Sequence, residues 1–144
     1  MAERLKEKGG VDTIELKDLN EDGSFLNQCK KAFRRERAVI ASANFDLSAY
    51  DLICVGTPVW AFAPVPAFNT YFDKATGISG KDAVIFTTHG SGVGVGRCQN
   101  YMKEALIKQG AKRVYQLSIQ QGMVKDRDFV LTKIDEVMRL WPNG

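Results

Sequence analysis

An α/β domain, with a parallel sheet covered by helices on both faces, is predicted by three features of the sequence. Short apolar runs alternate with amphipathic segments along the whole chain. Two of the runs, Leu52-Ile53-Cys54-Val55 and Val84-Ile85-Phe86, are continuously apolar, as strands buried on both faces are. Proline and glycine stand where helices should start and stop, at Pro66, Gly77 and Gly110.

The elements follow in order. Ile14 and Leu16 alternate with polar neighbours, which predicts a first strand over 13–17. Ser24 can cap a helix whose stripe is Phe25, Cys29, Ala32 and Phe33, at i, i+4, i+7 and i+8. The second strand is 51–56. A helix starting near Pro66 carries Phe68, Tyr71, Phe72 and Ala75 on one face. The third strand is 83–88, followed by a long helix with Cys98, Tyr101, Met102, Ala105 and Leu106 inward. Residues 113–119 alternate as a fourth strand. Asp126 can cap the last helix, whose inner face is Val130, Ile134, Val137, Met138 and Trp141. Continuous apolar strands are central and alternating ones lie nearer edges, so 51–56 and 83–88 are predicted central.

Composition bounds the function. The chain has 144 residues, one domain's worth, spanning 1–144 without a linker or repeat. It is 44% hydrophobic and 26% charged, as globular chains are. No apolar run reaches the ~20 residues of a membrane span. The charged N-terminus lacks an apolar signal region, so the expectation is a cytoplasmic protein. A net charge of +3 is too mild to imply nucleic acid, and the basic run Lys30, Lys31, Arg34, Arg35 and Arg37 reads as a solvated face. Cys29, Cys54 and Cys98 are widely spaced, with no CxxC pair to suggest a zinc or dithiol site. They read as reduced, buried thiols.

Two loops follow the continuously apolar strands, where open parallel sheets bind ligands. The first is Thr57, Pro58, Val59, Trp60, Ala61 and Phe62. Two aromatics among small residues suit a wall for a planar ligand. A Trp60 folded back onto the adjacent helix is the other reading, and the residues leave both open. The second runs Thr88, His89, Gly90, Ser91, Gly92, Val93, Gly94, Val95, Gly96. Alternate glycines permit close backbone approach, and N–H groups there can bond a ligand's polar edge.

Sharper motifs fail. The glycines do not fit G-x-G-x-x-G, and no G-K-[ST] follows them. His89, the sole histidine, has no metal-ligand set and no Ser or Cys nucleophile to activate.

The stretch D-L-S-x-Y-D-L-I-x-V-G-T-P-V-W over 46–60, and G-K-D-A-V-I-F-T-T-H-G over 80–90 with its glycine-rich tail, resemble flavodoxin-like proteins. The resemblance implies a three-layer, doubly wound parallel sheet of five strands in the order 2-1-3-4-5. It also implies FMN held against the two loops named above, from Thr57 to Phe62 and from Thr88 to Gly96, with Trp60 stacked on the ring. The family begins with a central apolar strand and a hydroxyl-rich phosphate loop. This chain opens on Met-Ala-Glu-Arg-Leu-Lys-Glu-Lys-Gly-Gly, which looks like the tail of the helix after that loop. The expectation is therefore a domain lacking its N-terminal central strand. Either the chain starts late, or the sheet is completed by a partner subunit, such as a second copy in a homodimer, or by a rearranged strand.

Functionally the resemblance implies an FMN-binding redox protein that passes electrons through the flavin to a partner protein or a small-molecule acceptor. An FMN-dependent NAD(P)H or quinone reductase is the alternative enzyme. A domain that binds no flavin and serves as an interaction module is the non-enzymatic one. A phosphoacceptor receiver shares the strand order but needs an acidic residue where Gly56 and Thr57 stand.

Overall fold

The computed structural model describes residues 1–20 and 23–141. Among them, three parallel strands form one sheet: β1 (Leu52–Pro58), β2 (Asp82–His89) and β3 (Arg113–Gln120), in the order β1-β2-β3. The helices are α1 (Ala2–Lys6), α2 (Phe25–Phe33), α3 (Pro66–Lys74), α4 (Val95–Lys108) and α5 (Arg127–Leu140).

Alternation along β2 separates two cores. Ala83 and Ile85 face α3 and α4, where they meet Phe68, Tyr71, Phe72, Cys98, Met102 and Leu106. Val84 faces the other way, onto Ile134, Val137 and Met138 of α5, with Leu5 of α1 packed alongside. The result is a three-layer, doubly wound α/β sandwich. In α4, Cys98, Met102 and Leu106 recur at four-residue spacing and are completely buried. Each such side chain contributes ~1.5–3 kcal/mol of transfer free energy. Pro66 opens α3 at a position where its missing N–H costs nothing. The Asp126 carboxylate accepts from the Phe129 N–H at 3.0 Å to cap α5.

The inner face of α3 is partly polar, because it holds an irregular stretch of chain. Thr70 Oγ1 accepts from the Ala38 N–H and donates to the Ala38 carbonyl, both at 2.8 Å. Asn69 donates to the Glu36 carbonyl at 3.1 Å and Tyr71 to the Asn44 carbonyl at 2.6 Å. These side chains supply partners to backbone that has no ladder of its own. Lys81 Nζ donates to the carbonyls of Leu47, Ser48 and Tyr50, fixing the turn that leads into β1.

Three sequence expectations are corrected. Residues 13–17 form no strand. A strand exists by pairing, and no backbone bond joins this stretch to β1. The run at 51–56 extends to 52–58 and lies at the sheet's edge, while only 82–89 is central. Continuous apolarity matched burial on both faces in β2, where Ala83, Val84 and Ile85 are buried, but in β1 only Ile53 of the apolar run is buried, and the pattern said nothing of lateral neighbours. The stripe on α2 is core only in part: Ala32 is buried, but Phe25 is 64% and Phe33 58% exposed, and Gln28, off the stripe, is buried. Helical spacing marks out an apolar face without identifying what covers it.

Candidate functional site

β1 and β2 are parallel and in register, Pro58 opposite Thr88, so both end at one rim of the sheet. The register continues one residue further, the Val59 N–H donating to the Thr88 carbonyl at 2.8 Å. The two predicted loops are thereby brought side by side.

The first loop tightens into a reversal. The N–H groups of Trp60 and Ala63 donate to each other's carbonyls at 2.9 and 3.0 Å. The two residues between, Ala61 and Phe62, have φ of 45° and 69°. Left-handed backbone costs a non-glycine residue roughly 1–2 kcal/mol. Two such residues in succession are strain of the kind that surrounding structure must hold in place. Part of that hold is visible. A Cβ on Gly94 would collide with the Phe62 ring and backbone, so the ring occupies the hollow that glycine leaves. The Arg97 guanidinium lies 6.0 Å from the Phe62 ring centroid, at the outer limit of a cation–π contact.

Trp60 has aromatic neighbours on two sides. It packs edge-on against Phe25 of α2, with centroids 6.1 Å apart and planes at 81°. It also lines an apolar cavity beside β1 with Phe68 and Tyr71. Phe25 is a neighbour that sequence reasoning missed, because helical spacing assigned it to the core. Thr57 is a buttress: it is buried, and its hydroxyl accepts from the Val65 N–H at 3.2 Å and donates to the Pro58 carbonyl at 3.0 Å.

The second loop is exposed at its tip. Ser91 Oγ accepts from the Val93 N–H at 3.3 Å. Gly92 and Gly94 both take φ of +83°, which only glycine adopts readily. Gly90 and Gly96 have φ outside that region, and a Cβ at either would meet nothing within 4 Å. Nothing in the protein requires glycine at those two positions. His89 Nδ1 is buried yet makes no hydrogen bond. Beneath the loop, Gln99 of α4 donates to Thr87 Oγ1 at 3.1 Å and to the Leu117 carbonyl at 2.9 Å, tying the start of α4 to two strands. Gln120 donates to the Gly90 carbonyl at 3.1 Å.

A doubly wound parallel sheet with two adjoining loops at its carboxyl rim defines the open α/β class that binds small ligands there. The chain belongs to the flavodoxin family, whose model, described as Flavodoxin, matches residues 21–125. No curated protein sequence matches it. Among solved structures it is similar to a flavoprotein in complex with FMN from Lactobacillus acidophilus, at 20% identity over 71% of this chain and 70% of that one, with a TM-score of 0.57. A flavoprotein structure from Bacteroides uniformis is 18% identical over 83% of this chain and 69% of that one, with a TM-score of 0.54. One from Bacteroides eggerthii is 20% identical over 85% and 69%, with a TM-score of 0.53. At these identities the likeness is one of fold.

Proposed function

We propose that this chain is an FMN-binding redox protein whose flavin ring lies between the loops 57–62 and 88–96. The observation that carries this reading is the strained aromatic turn at Trp60–Ala63, interlocked with the glycine loop at the rim of two adjacent parallel strands. Strain of this kind concentrates at ligand sites. The orphaned His89 Nδ1 fits a polar edge of the ring, and the open space at Gly90 and Gly96 fits close approach of a flat ligand. Trp60 and Phe62 provide the aromatic wall, and Thr57 holds that wall to α3. FMN supplies one- and two-electron redox chemistry when bound. The family membership and the FMN complex of the Lactobacillus acidophilus relative point the same way.

The fit is to the ring. Among the described residues, no hydroxyl-rich glycine loop stands ready for the phosphate. The expected result of a fluorescence titration is therefore quenching of flavin emission with nearly equal affinities for FMN and riboflavin. Trp60→Ala should weaken both by about tenfold, the ~1.4 kcal/mol expected of one lost aromatic contact. Unquenched flavin at saturating protein would overturn the reading, and unchanged affinity in Trp60→Ala would remove Trp60 from the site. The charge of +3 is opposite to that of carriers which dock on basic partners. Turnover of NAD(P)H with a quinone is accordingly the paired assay.

A further inference from the structure

Helix α2 carries two adjacent rows of side chains on its outer side. Phe25, Cys29 and Phe33 form one row at four-residue spacing, and Leu26, Lys30 and Arg34 form the next. Arg34 caps the helix with helical backbone, so it continues its row. Leu26 is 79% exposed, and Phe25 and Phe33 are each more than half exposed. The side that the helix turns inward holds Gln28 and Ala32 instead. Three large apolar side chains within nine residues make a patch, where single exposed ones would be ordinary surface. The chain on either side adds to it. Leu19 and Val39 are both exposed, and the Leu19 N–H donates to the Val39 carbonyl at 2.7 Å.

The charge beside this patch is one-sided. Within 25–34 every charged residue is basic: Lys30, Lys31 and Arg34. Glu21 and Asp22 precede the helix in sequence, and Glu36 follows it. Arg34 and Glu36 form an exposed pair at 3.9 Å, which water and salt loosen. Arg35 and Arg37 are engaged elsewhere. The Arg35 guanidinium lies 4.2 Å from the Tyr101 ring centroid, and Arg37 holds Asp73. Lys30 and Arg34 are thus the cations that border the apolar rows.

We infer that α2 is an interfacial anchor, which lays Leu26, Phe33 and the edge of Phe25 into the headgroup boundary of an anionic membrane, with Lys30 and Arg34 on the lipid phosphates. A convex stripe of Phe and Leu beside long cationic stems suits that boundary. The apolar groups enter the acyl edge, while the stems lie along it and their charged heads reach the headgroups. An acidic protein partner would need a groove of its own to receive a convex stripe, and a lipid surface needs none. One short helix gives weak, reversible binding that draws on apolar burial and on charge together. Phe25 also packs on Trp60, so the anchor brings the 57–62 turn close to the lipid surface.

The test is co-sedimentation of the full chain with vesicles of phosphatidylcholine alone, or with about one-third phosphatidylserine. Binding is expected to the anionic vesicles only, and to fall as salt rises from about 0.05 to 0.5 M. Lys30→Gln with Arg34→Gln should lower the partition coefficient about thirtyfold. Leu26→Ser with Phe33→Ser should lower it at least about tenfold. All four side chains are exposed, so both double variants should keep the parent's melting temperature. No binding to anionic vesicles at low salt, equal binding to neutral ones, or binding unchanged in either double variant would overturn the inference. Capture of a synthetic acidic amphipathic peptide by this face, with no binding to vesicles, would assign it to a protein partner. Self-association lost in Leu26→Ser with Phe33→Ser, again without vesicle binding, would assign it to a second copy. Either result overturns the lipid assignment. None of these readouts involves flavin.

Discussion

At the scale of single residues, the most informative positions are Ala61 and Phe62. Replacing Ala61 by glycine removes a left-handed penalty of roughly 1–2 kcal/mol and adds back ~0.5–1 kcal/mol of chain entropy. Ala61→Gly should therefore stabilise the protein by up to about 1.5 kcal/mol in a urea melt. A destabilised variant would show that the turn carries no such strain. Phe62 is different, because its ring fills the space at Gly94. None of this was legible in the sequence. Alanine and phenylalanine carry no signal of a positive φ, and the Phe62–Gly94 and Phe25–Trp60 meetings join residues far apart in the chain. What the sequence did reveal was the pair of loops, since Pro, Gly and aromatic clusters after apolar strands are local signals. Burial also orders the thiols. It pushes Cys54 up to about 11 and Cys98 up to about 12, so neither is a ready thiolate at neutral pH.

At the scale of elements, α3 is the organiser. Its apolar side packs on the sheet, and its polar side holds the stretch before β1 through Asn69, Thr70 and Tyr71. The outer end of the same contact is an ion pair: Arg37 Nε and Nη2 donate to the Asp73 carboxylate at 2.8 and 3.1 Å. The bonds from Arg37 hold the Asp73 carboxyl below its ordinary range. A depressed carboxyl contributes stability above its unfolded pKa and loses it as pH falls through its folded value. Asp73→Asn should then lower Tm at neutral pH, with the difference from the parent vanishing in acid. A difference that persists below the carboxylate range would mean that the pair is not its cause. Because the pair is exposed, the effect should be small and salt-sensitive. The sequence revealed α3, α4 and α5 through their spacing and caps. It misassigned Phe25 and Phe33 of α2, which are exposed rather than core, and it could not show that 13–17 lacks a strand partner.

At the scale of the whole molecule, the sheet is asymmetric. β2 is paired on both sides and β1 on one. Native-state hydrogen exchange should place the slowest amides in β2 and find Leu52, Cys54 and Gly56 among the fastest of the strand residues. Equal protection across β1 and β2 would contradict the open edge. The sequence anticipated a missing middle strand, and the gap between 11–16 and β1 lies where that strand was expected. Family-level strand patterns located the gap; only the folded arrangement shows that it stays open rather than closing by direct pairing. The gap also has a colloidal meaning. An uncovered, apolar strand edge is a template on which unfolded or partly folded chains can accrete. The stretch at 11–16, with Asp12 and Glu15, stands over that template as a gatekeeper. Neutralising its two carboxylates should make the protein precipitate at lower concentration while leaving the folded chain intact. A solubility limit equal to the parent's would show that the edge needs no guard.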